Sequence, residues 1–486
     1  MGGSGMMRCG GKGCKLRHLV RFGGAAAIPK FRNIIACQAG RSRSRIAGAV
    51  MSKPGYARRT LLAGASLVAI VIWSSDARAG GIGIREQSAV GQGMSFAGAG
   101  TPGMGLSAMF WNPAAVTQAR GLWSETHTTF LIPHGVITAG SGTANPPLFG
   151  LGASSGNIGE LAFIPTSYVA YRIDPNWYFG LSMSAPFGAG TEAHVPWAGQ
   201  NYAIQARVKS TDINAILGWK INELLSVAAG PRLLYLFDGK FSRATSPALT
   251  PSISALRSLD DLGYGFSAGI TYTPTPATEI ALGYRSRVKL NIDGKVSLPT
   301  GVPFGPGVYG VTSGETLPDQ VNFGVRQRMT DRLTLLGTVE WTDWSVLQNV
   351  PFTFTNGPAA GATVSTLTFN YRDGWLVALG GEYQWSPQTT LRAGIAYEHS
   401  PVTDRIRDTS LPDDNRWWFS VGLTQQWSAR TTIDLGYSFV YLGHSPIDIV
   451  PGHPDFASVG APLVAHSNSY NHIVSLAWRY KWTDDR

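Results

Sequence analysis

From residue 122 onward, apolar and polar residues alternate in segments of about ten, the pattern of a strand with one apolar face. The clearest segment spans residues 262–272, and later segments around residues 280, 321, 391, 433 and 474 repeat its pattern. Its apolar positions are Leu262, Tyr264, Phe266, Ala268, Ile270 and Tyr272. The alternation predicts an all-β protein, either a soluble sandwich that buries the apolar faces or a membrane barrel that turns them toward lipid.

The connections between the segments favour the barrel. Short turns are expected at 174–176, 220–223, 273–278, 329–332, 386–388 and 428–430. Long polar or Gly/Pro-rich loops are expected at 134–159, 189–200, 239–259, 292–316, 346–364, 401–413 and 444–467. Short turns that alternate with long loops are typical of outer-membrane barrels. Six turns and seven loops require fourteen antiparallel strands, and this even number places both termini on the periplasmic side.

Aromatic residues mark the expected membrane edge. Large rings cluster beside the short turns, where amphipathic aromatic side chains sit at the headgroup level, whereas a soluble core would spread them along the strands. These residues are Trp177, Trp219, Tyr272, Trp385, Trp427 and Trp482. The sequence therefore predicts a 14-stranded transmembrane β-barrel in a bacterial outer membrane.

Three segments depart from strict alternation. Residues 122–132 and 161–172 alternate poorly, and Pro165 interrupts the second, which a wall covered by a plug would tolerate. In residues 202–219 the apolar parity changes between Val208 and Ile213. A β-bulge, or an upper part that stands clear of the lipid, would explain the change.

Residues 80–121 are too rich in glycine to form a long helix or strand. We expect them to form a compact plug, or hatch, inside a barrel made of residues 122–486. The glycines that allow close packing of this hatch are Gly91, Gly93, Gly98, Gly100, Gly103 and Gly105.

The basic charge of the chain lies in its N-terminal region. The net charge is +10 for 486 residues, but residues 1–79 hold fourteen Lys and Arg and one acid, which leaves −3 for the rest. Residues 51–79 have a basic start, an apolar run and a small-x-small ending, the pattern of a signal peptide. Residues 1–50 are interpreted as a presequence, a transit peptide or a mis-assigned start. They contain all three cysteines, so no disulfide or thiolate site is expected after residue 79.

Several motifs, in this order, resemble the FadL-type long-chain fatty acid transporters of bacterial outer membranes. They are the glycine-rich start at 80–100, the tetrad Trp111-Asn112-Pro113-Ala114, the run Ala185-Pro186-Phe187-Gly188 followed by Thr191-Glu192, and residues 204–230. The resemblance implies that the hatch, including the turn at Asn112, Pro113 and Ala114, closes the lumen. It also implies an apolar outer groove, a tighter internal site and sideways exit of the ligand at a kinked third strand.

The matching kink would be Pro186, Phe187 and Gly188. Proline lacks a ladder donor and glycine weakens a strand, so an opening in a closed wall costs least there. Alternatively, these residues only end the third strand and open a loop. The chain also departs from the family, because Gly105-Leu106-Ser107-Ala108 replaces an acidic pair and residues 483–486 extend past the usual terminal aromatic residue.

A transporter of fatty acids needs an apolar lining and a cation for the carboxylate. Strand parity points Arg232, Arg285, Arg326, Arg392 and Arg416 into the lumen, together with Glu340, Glu382, Glu398 and Asp434, so most of these charges should pair. Among them, Arg232 and Arg392 are candidate ligand residues. The family's carboxylate-binding residues cannot be transferred, because Tyr235 is followed by Leu236-Phe237-Asp238. Candidate apolar residues, which could instead only seat the hatch, are Met94, Phe96, Met104, Met109, Phe110, Trp111, Leu234 and Leu236.

Catalytic and metal sites have little support in the sequence. The eight histidines after residue 79 are scattered, and none forms an i, i+4 zinc pair. Acidic residues at Asp404, Asp408, Asp413 and Asp414 could bind divalent cations, although a solvated loop is the simpler account.

The leading hypothesis is a monomeric, cofactor-free channel for passive uptake of hydrophobic compounds, most of all long-chain fatty acids. Its partners would be outer-membrane lipid, lipopolysaccharide and the barrel assembly machinery, and nucleic acid is not expected. The alternatives are uptake of aromatic or alkane hydrocarbons, a general aqueous porin, and a barrel enzyme that acts on lipids.

Overall fold

The computed structural model describes residues 81–144, 150–246 and 248–483. The predicted presequence at 1–50, the signal peptide at 51–79 and the last three residues lie outside the described residues.

Twenty strands and several short helices make up the described part. The strands are β1 Leu122–Ala139, β2 Ser154–Asn157, β3 Ala162–Arg172, β4 Trp177–Ser184, β5 Gly188–Glu192, β6 Gln205–Lys220, β7 Leu225–Ala244, β8 Ile253–Thr275, β9 Thr278–Arg285, β10 Val288–Leu298, β11 Gly307–Leu317, β12 Gln320–Arg328, β13 Leu333–Thr342, β14 Asn349–Phe354, β15 Thr363–Thr368, β16 Gly374–Ser386, β17 Thr389–His399, β18 Arg416–Gln426, β19 Thr431–Ile449 and β20 Leu463–Lys481. The α-helices are α1 Ala89–Gln92 and α2 Phe456–Val459, and the 3-10 helices are η1 Pro102–Met104, η2 Leu106–Phe110, η3 Pro113–Gln118 and η4 Trp344–Val346.

The strands close into one antiparallel barrel with fourteen strands in its wall, as the sequence predicts. Around the barrel the order is β1, β3, β4, β6, β7, β8, β9, β12, β13, β16, β17, β18, β19 and β20, and β20 pairs with β1 from Trp123↔Lys481 to Ala139↔Ala465. Six further strands lie next in sequence to a strand of the barrel wall and are separated from it by a short break. They are β2, β5, β10, β11, β14 and β15. Closure satisfies the hydrogen bonds that an open sheet edge would leave unpaired.

The outward face of the barrel is apolar and the inward face is mixed. On β20, Val474, Leu476 and Trp478 are 43–56% exposed, whereas Ser475 and Ala477 between them are buried. Of the aromatic rings beside the short turns, all but the half-buried Trp482 are exposed as well, and Trp177 stacks on Trp219 with ring centroids 5.8 Å apart. This outward band is typical of a surface in contact with lipid.

Several long loops predicted from the sequence are largely strand. Of the segment 239–259, residues 245–252 form the connection and the rest belongs to β7 and β8; likewise β10 and β11 cover most of 292–316. The prediction was wrong there because strands that continue beyond the lipid no longer need one apolar face, so the period-two signal fades. The short turns lie where the sequence places them, within three residues; the largest difference is at 273–278, where β8 continues to Thr275.

The three irregular segments have structural explanations. Strands β1 and β3 pack against the hatch helix η2, and β1 buries the polar side chains of Glu125, His127 and Thr129 on its inward face, so this part of the wall faces protein instead of an open lumen. The β6–β7 register shifts between Arg207 and Lys209, so a bulge accounts for the change of parity before Ile213.

Residues 81–121 fill the lumen. Helix α1 contacts β18, β19 and β20, and η3 contacts β6, β7 and β8 on another side of the barrel. Met94, Phe96 and Trp111 share one buried cluster with Trp418 and Ile216 of the barrel wall. The hatch therefore has no hydrophobic core of its own and is held by the inner wall.

Candidate functional site

An apolar cavity lies above the hatch, between the first hatch residues and the extensions of the strands beyond the lipid-facing band. The centre of a water molecule can reach about 130 Å³ of it. Its apolar wall comes from distant parts of the chain because the closed barrel brings them together. The main apolar lining residues are Ile82, Leu236, Phe241, Phe352, Phe369 and Leu411.

The same cavity carries charged groups at one side. Arg207 and Lys240 belong to a network in which Arg207 pairs with Glu160 at 2.6 Å and Lys240 with Asp238 at 2.6 Å. Asp238 sits at a left-handed position (φ 53°) in the irregular part of β7, which turns its carboxylate toward both Lys240 and Lys209. Arg207, Lys209 and Lys240 therefore each have an acidic partner already, although the two carboxylates are shared among the three cations.

Arg243 at the end of β7 differs from the other cations of the cavity. Within the described residues its guanidinium makes no hydrogen bond or ion pair, and Asp455 is the acid that influences it. Burial in the loop that follows β19 raises the pKa of the Asp455 carboxyl to about 7, and neighbouring Asp408 adds to the effect.

A second cavity lies further out and shares Arg243 with the first. The centre of a water molecule can reach about 450 Å³ of it, and it is lined by Leu298, Val302, Phe304 and Val364 among others. Phe304 is 44% exposed, so this cavity begins at the outer surface. Arg243 thus stands at the junction between an outer and an inner apolar space.

The third strand of the barrel wall, counted along the chain, is interrupted between β4 and β5 at residues 185–187. The β3–β4 ladder ends at Ser167↔Met183, and β5 pairs with β6 instead of β3. The first residues of the hatch occupy the break: Ile84 N donates to Pro186 O at 2.8 Å and Gly188 N to Ile82 O at 2.8 Å. The predicted kink residues Pro186, Phe187 and Gly188 therefore lie where wall and hatch share hydrogen bonds.

Gln87 completes this contact. Its side-chain amide donates to Ala185 O at 2.8 Å and accepts from Ala185 N at 3.1 Å, while its own carbonyl accepts from Thr166 and Tyr168 of β3. Ile82 also lines the inner cavity, so one hatch segment borders both the cavity and the break in the wall.

The predicted hatch residues make close contacts with the wall. The buried side chain of Asn112 accepts from Ala114 N, so it caps η3, which begins at Pro113, and it donates to Ile270 O and Thr271 Oγ1 of β8. A Cβ on Gly93 would lie 2.7 Å from Gly422 Cα of β18. Similar close contacts surround Gly91, Gly98 and Gly100, the last two at positive φ.

The apolar ligand candidates separate into two groups. Phe96, Phe110 and Trp111 pack on one another, with centroids 5.0–5.7 Å apart, inside the buried hatch cluster; Met94, Met104 and Met109 belong to the same cluster. Leu234 is buried in the upper cluster and Leu236 lines the inner cavity.

The inward-facing arginines are paired, as expected from strand parity. Arg232 bonds Asp212 at 2.8 Å, and Arg392 bonds Glu382 at 2.9 Å. Arg326 also pairs with Glu382, and Arg416 with Asp413. Breaking a buried ion pair leaves an uncompensated charge and is strongly destabilising. These arginines therefore stabilise the barrel wall rather than bind a ligand.

A polar cavity lies on the short-turn side, below the hatch. The centre of a water molecule can reach about 320 Å³ of it, and its wall contains Arg326, Arg392, Arg479 and Glu382. A long apolar chain would lose favourable contacts by entering such a space.

Other kinds of site have no support in the described part of the chain. No group of three or more His, Cys, Asp or Glu is placed to hold a metal ion there. Of the acids proposed for cations, Asp404 and Asp414 pair with Arg407, and Asp413 accepts from Gly81 N and Ser400. The helices of this part are too short or too polar to cross a lipid bilayer.

Sequence reasoning missed Arg243 and Ile82. Arg243 falls in the segment 239–259 that was predicted to be loop. Ile82 lies within the glycine-rich motif at 80–100, but nothing in that motif marks it as a lining residue.

The profile of the family described as "Outer membrane protein transport protein (OMPP1/FadL/TodX)" matches residues 70–482. The chain is 27% identical to a long-chain fatty acid transport protein of Salmonella typhi over 440 residues, 85% of this chain and 98% of that protein. Its fold is similar to that of a Pseudomonas aeruginosa FadL homologue, with a TM-score of 0.73, 22% identity, and coverage of 84% and 100% of the two chains. The Ralstonia pickettii toluene transporter TbuX has a TM-score of 0.60, 18% identity, and coverage of 82% and 100%.

Proposed function

Since the chain belongs to the OMPP1/FadL/TodX family of outer membrane transport proteins, we propose that it takes up long-chain fatty acids by passive diffusion. The observation that carries the proposal is the unpaired Arg243 at the junction of two apolar cavities. An alkyl chain fits the apolar wall, and a guanidinium is the group that best binds a carboxylate.

The hatch would open the exit. A ligand in the inner cavity touches Ile82, whose carbonyl helps to close the break between β4 and β5. Displacement of residues 82–87 would remove the hydrogen bonds to Pro186, Gly188 and Ala185 and leave a gap toward the lipid. The polar cavity below the hatch supports this sideways route, because it suits an apolar chain poorly.

Substitution of Arg243 tests the ligand class. Arg243→Gln should weaken oleate binding by about tenfold, the value of one charge-assisted hydrogen bond, and leave toluene binding unchanged. Arg430→Gln, in the exposed turn before β19, is the matched control. Binding would be measured on purified protein by displacement of a fluorescent fatty acid.

Two outcomes separate the alternatives. If toluene or hexadecane binds and oleate does not, the channel carries hydrocarbons, for which the cavity offers Phe241, Phe352 and Phe369. Liposome swelling with small sugars at porin rates would instead indicate an aqueous pore, which the filled lumen disfavours.

A disulfide tests the route. Gly83 and Phe187 form an antiparallel bridge between hatch and wall, so Gly83→Cys with Phe187→Cys should lock the segment. Oleate uptake should fall when the pair is oxidised and recover after reduction. Undiminished uptake by the oxidised protein would contradict exit at this break.

A further inference from the structure

Four histidines lie together on the outward face of β1, β19 and β20. They are half of the eight histidines after residue 79. Three tyrosines border them, and we call the seven residues the histidine band. The band consists of His134, His444, His466 and His472 with Tyr437, Tyr441 and Tyr470.

The strand geometry places the band at the outer edge of the membrane. Trp482 lies on the short-turn side of the barrel, and His472 on β20 precedes it by ten residues. At about 3.3 Å per residue and a tilt near 40°, that distance is roughly 25 Å along the barrel axis, the height of the apolar band of such barrels. His466 lies about 15 Å further out by the same measure. The histidine band therefore spans the level of the lipid headgroups.

Ring contacts hold six members of the band in two groups, the pair of His444 with His466 and the set of His134, Tyr470, His472 and Tyr437. The rings of His444 and His466 stack with centroids 4.5 Å apart, and His134 stacks on Tyr470 at 4.7 Å. His472 Nδ1 and Tyr437 OH share a hydrogen bond of 2.8 Å. The contacts link β19, β20 and β1 into one surface at the closure of the barrel.

Few other charges face the band. Apart from the histidines, Asp448 near the end of β19 is the one charged residue at the outward-facing positions of β1, β19 and β20 between the level of Trp478 and the outer ends of these strands. The neighbouring β18 presents Trp417 and Phe419, and β3 presents Phe163. None of the four histidines has a carboxylate within 4.0 Å among the described residues.

Such a surface favours a phosphorylated ligand. A protonated imidazole presents two N–H donors, which form charge-assisted hydrogen bonds with phosphate oxygens. Like charges on the stacked rings of His444 and His466 would repel each other, and an anion bound beside the two rings would relieve that repulsion. The tyrosine hydroxyls and neutral ring N–H groups donate further hydrogen bonds, and the ring faces pack against sugars.

We propose that the histidine band binds the phosphorylated glucosamine headgroup of lipopolysaccharide, and that protonation of the imidazoles strengthens the binding. The position at the outer leaflet selects this lipid, and the phosphates supply the missing counter-charge. The interaction does not depend on which compound the channel carries.

Native mass spectrometry of the full chain in detergent tests the proposal with bisphosphorylated and dephosphorylated lipid A at pH 5.5 and pH 8. The wild-type protein should retain the bisphosphorylated lipid at least about threefold more at pH 5.5, as expected for partly screened charge-assisted hydrogen bonds. A variant with Gln at positions 134, 444, 466 and 472 should lose this pH dependence. His399→Gln, an isolated histidine at the outer end of β17, should behave as wild type.

Four results would overturn the proposal. The first three are equal retention at the two pH values, equal retention of the two forms of lipid A, and an unchanged pH profile in the fourfold variant. Equal binding of phosphatidylglycerol would also overturn it, because the surface would then recognise any phosphate. Heat-modified mobility in gels confirms that each variant has folded before binding is compared.

Discussion

Replacement of Glu86 by Gln removes a buried charge from the hatch. Glu86 is fully buried, and apart from its own backbone N–H no donor among the described residues reaches its carboxylate. Arg85 is occupied by Glu340 and Glu398. Burial raises the pKa of the Glu86 carboxyl from 4.5 to about 7, with a further contribution from Glu398.

The sign of the effect follows from proton linkage. Between pH 4.5 and about 7 the packed hatch holds a proton that the displaced hatch has lost, so hatch stability falls as the pH rises through this window. The shift corresponds to roughly 3 kcal/mol at most, since each pKa unit is worth about 1.4 kcal/mol. Below pH 4.5 the carboxyl is neutral in both states and the penalty is absent.

Glu86→Gln should therefore match wild type at pH 4.5 and become more stable than wild type as the pH rises to 8. Hydrogen exchange of the amides in α1, measured by mass spectrometry, reports the opening of the hatch. The variant should exchange up to about three hundredfold more slowly at pH 8, which is the same pKa shift expressed as a rate.

Glu223→Gln in the exposed turn after β6 is the control, and it should leave hatch exchange unchanged. Other titrating groups of the hatch contribute equally to Glu86→Gln and wild type, so they cancel in the difference. Parallel pH profiles for the two proteins would refute the reasoning, because they would mean that Glu86 is not desolvated.

Three further predictions concern the wall and the hatch. Asp212→Ala leaves two buried arginines without a counter-charge and should lower the unfolding free energy by about 3–5 kcal/mol in urea titrations, whereas Asp331→Ala in an exposed turn should have no effect. Gly283→Ala places a Cβ 1.7 Å from a hatch carbonyl and should make the hatch accessible to protease, whereas Gly314→Ala, with open space around it, should not. Asn112→Ala removes the cap of η3 and the bonds to β8, so it should raise hatch exchange by an amount that corresponds to about 2–3 kcal/mol; an unchanged rate would show that Asn112 does not hold the hatch.

The inner cavity shows why part of the site could not be predicted. Leu236 was recognised because it lies on the inward face of a strand, a local property. Arg243 was not, because its importance depends on the absence of a partner and on two cavities that meet beside it. Neither fact is encoded in the residues next to Arg243, and the irregular β6–β7 and β7–β8 registers further weaken the strand signal there.

The inward arginines show the same limit. Parity placed Arg232 and Arg392 in the lumen, but it could not show that Asp212 and Glu382 already neutralise them. Pairing depends on the stagger between neighbouring strands, and a shift of one residue would turn each carboxylate away.

The sequence by itself determined the all-β class, the fourteen strands of the barrel wall, the lipid-facing residues and the glycine-rich hatch. Strand periodicity, turn chemistry and glycine content, on which these predictions depend, are local properties of the chain. Only the tertiary structure decided that residues 82–87 close the break beside Pro186, that Arg243 stands unpaired between two cavities, and that four histidines meet on one surface. These arrangements join residues up to several hundred positions apart, and the closure of the barrel brings them together.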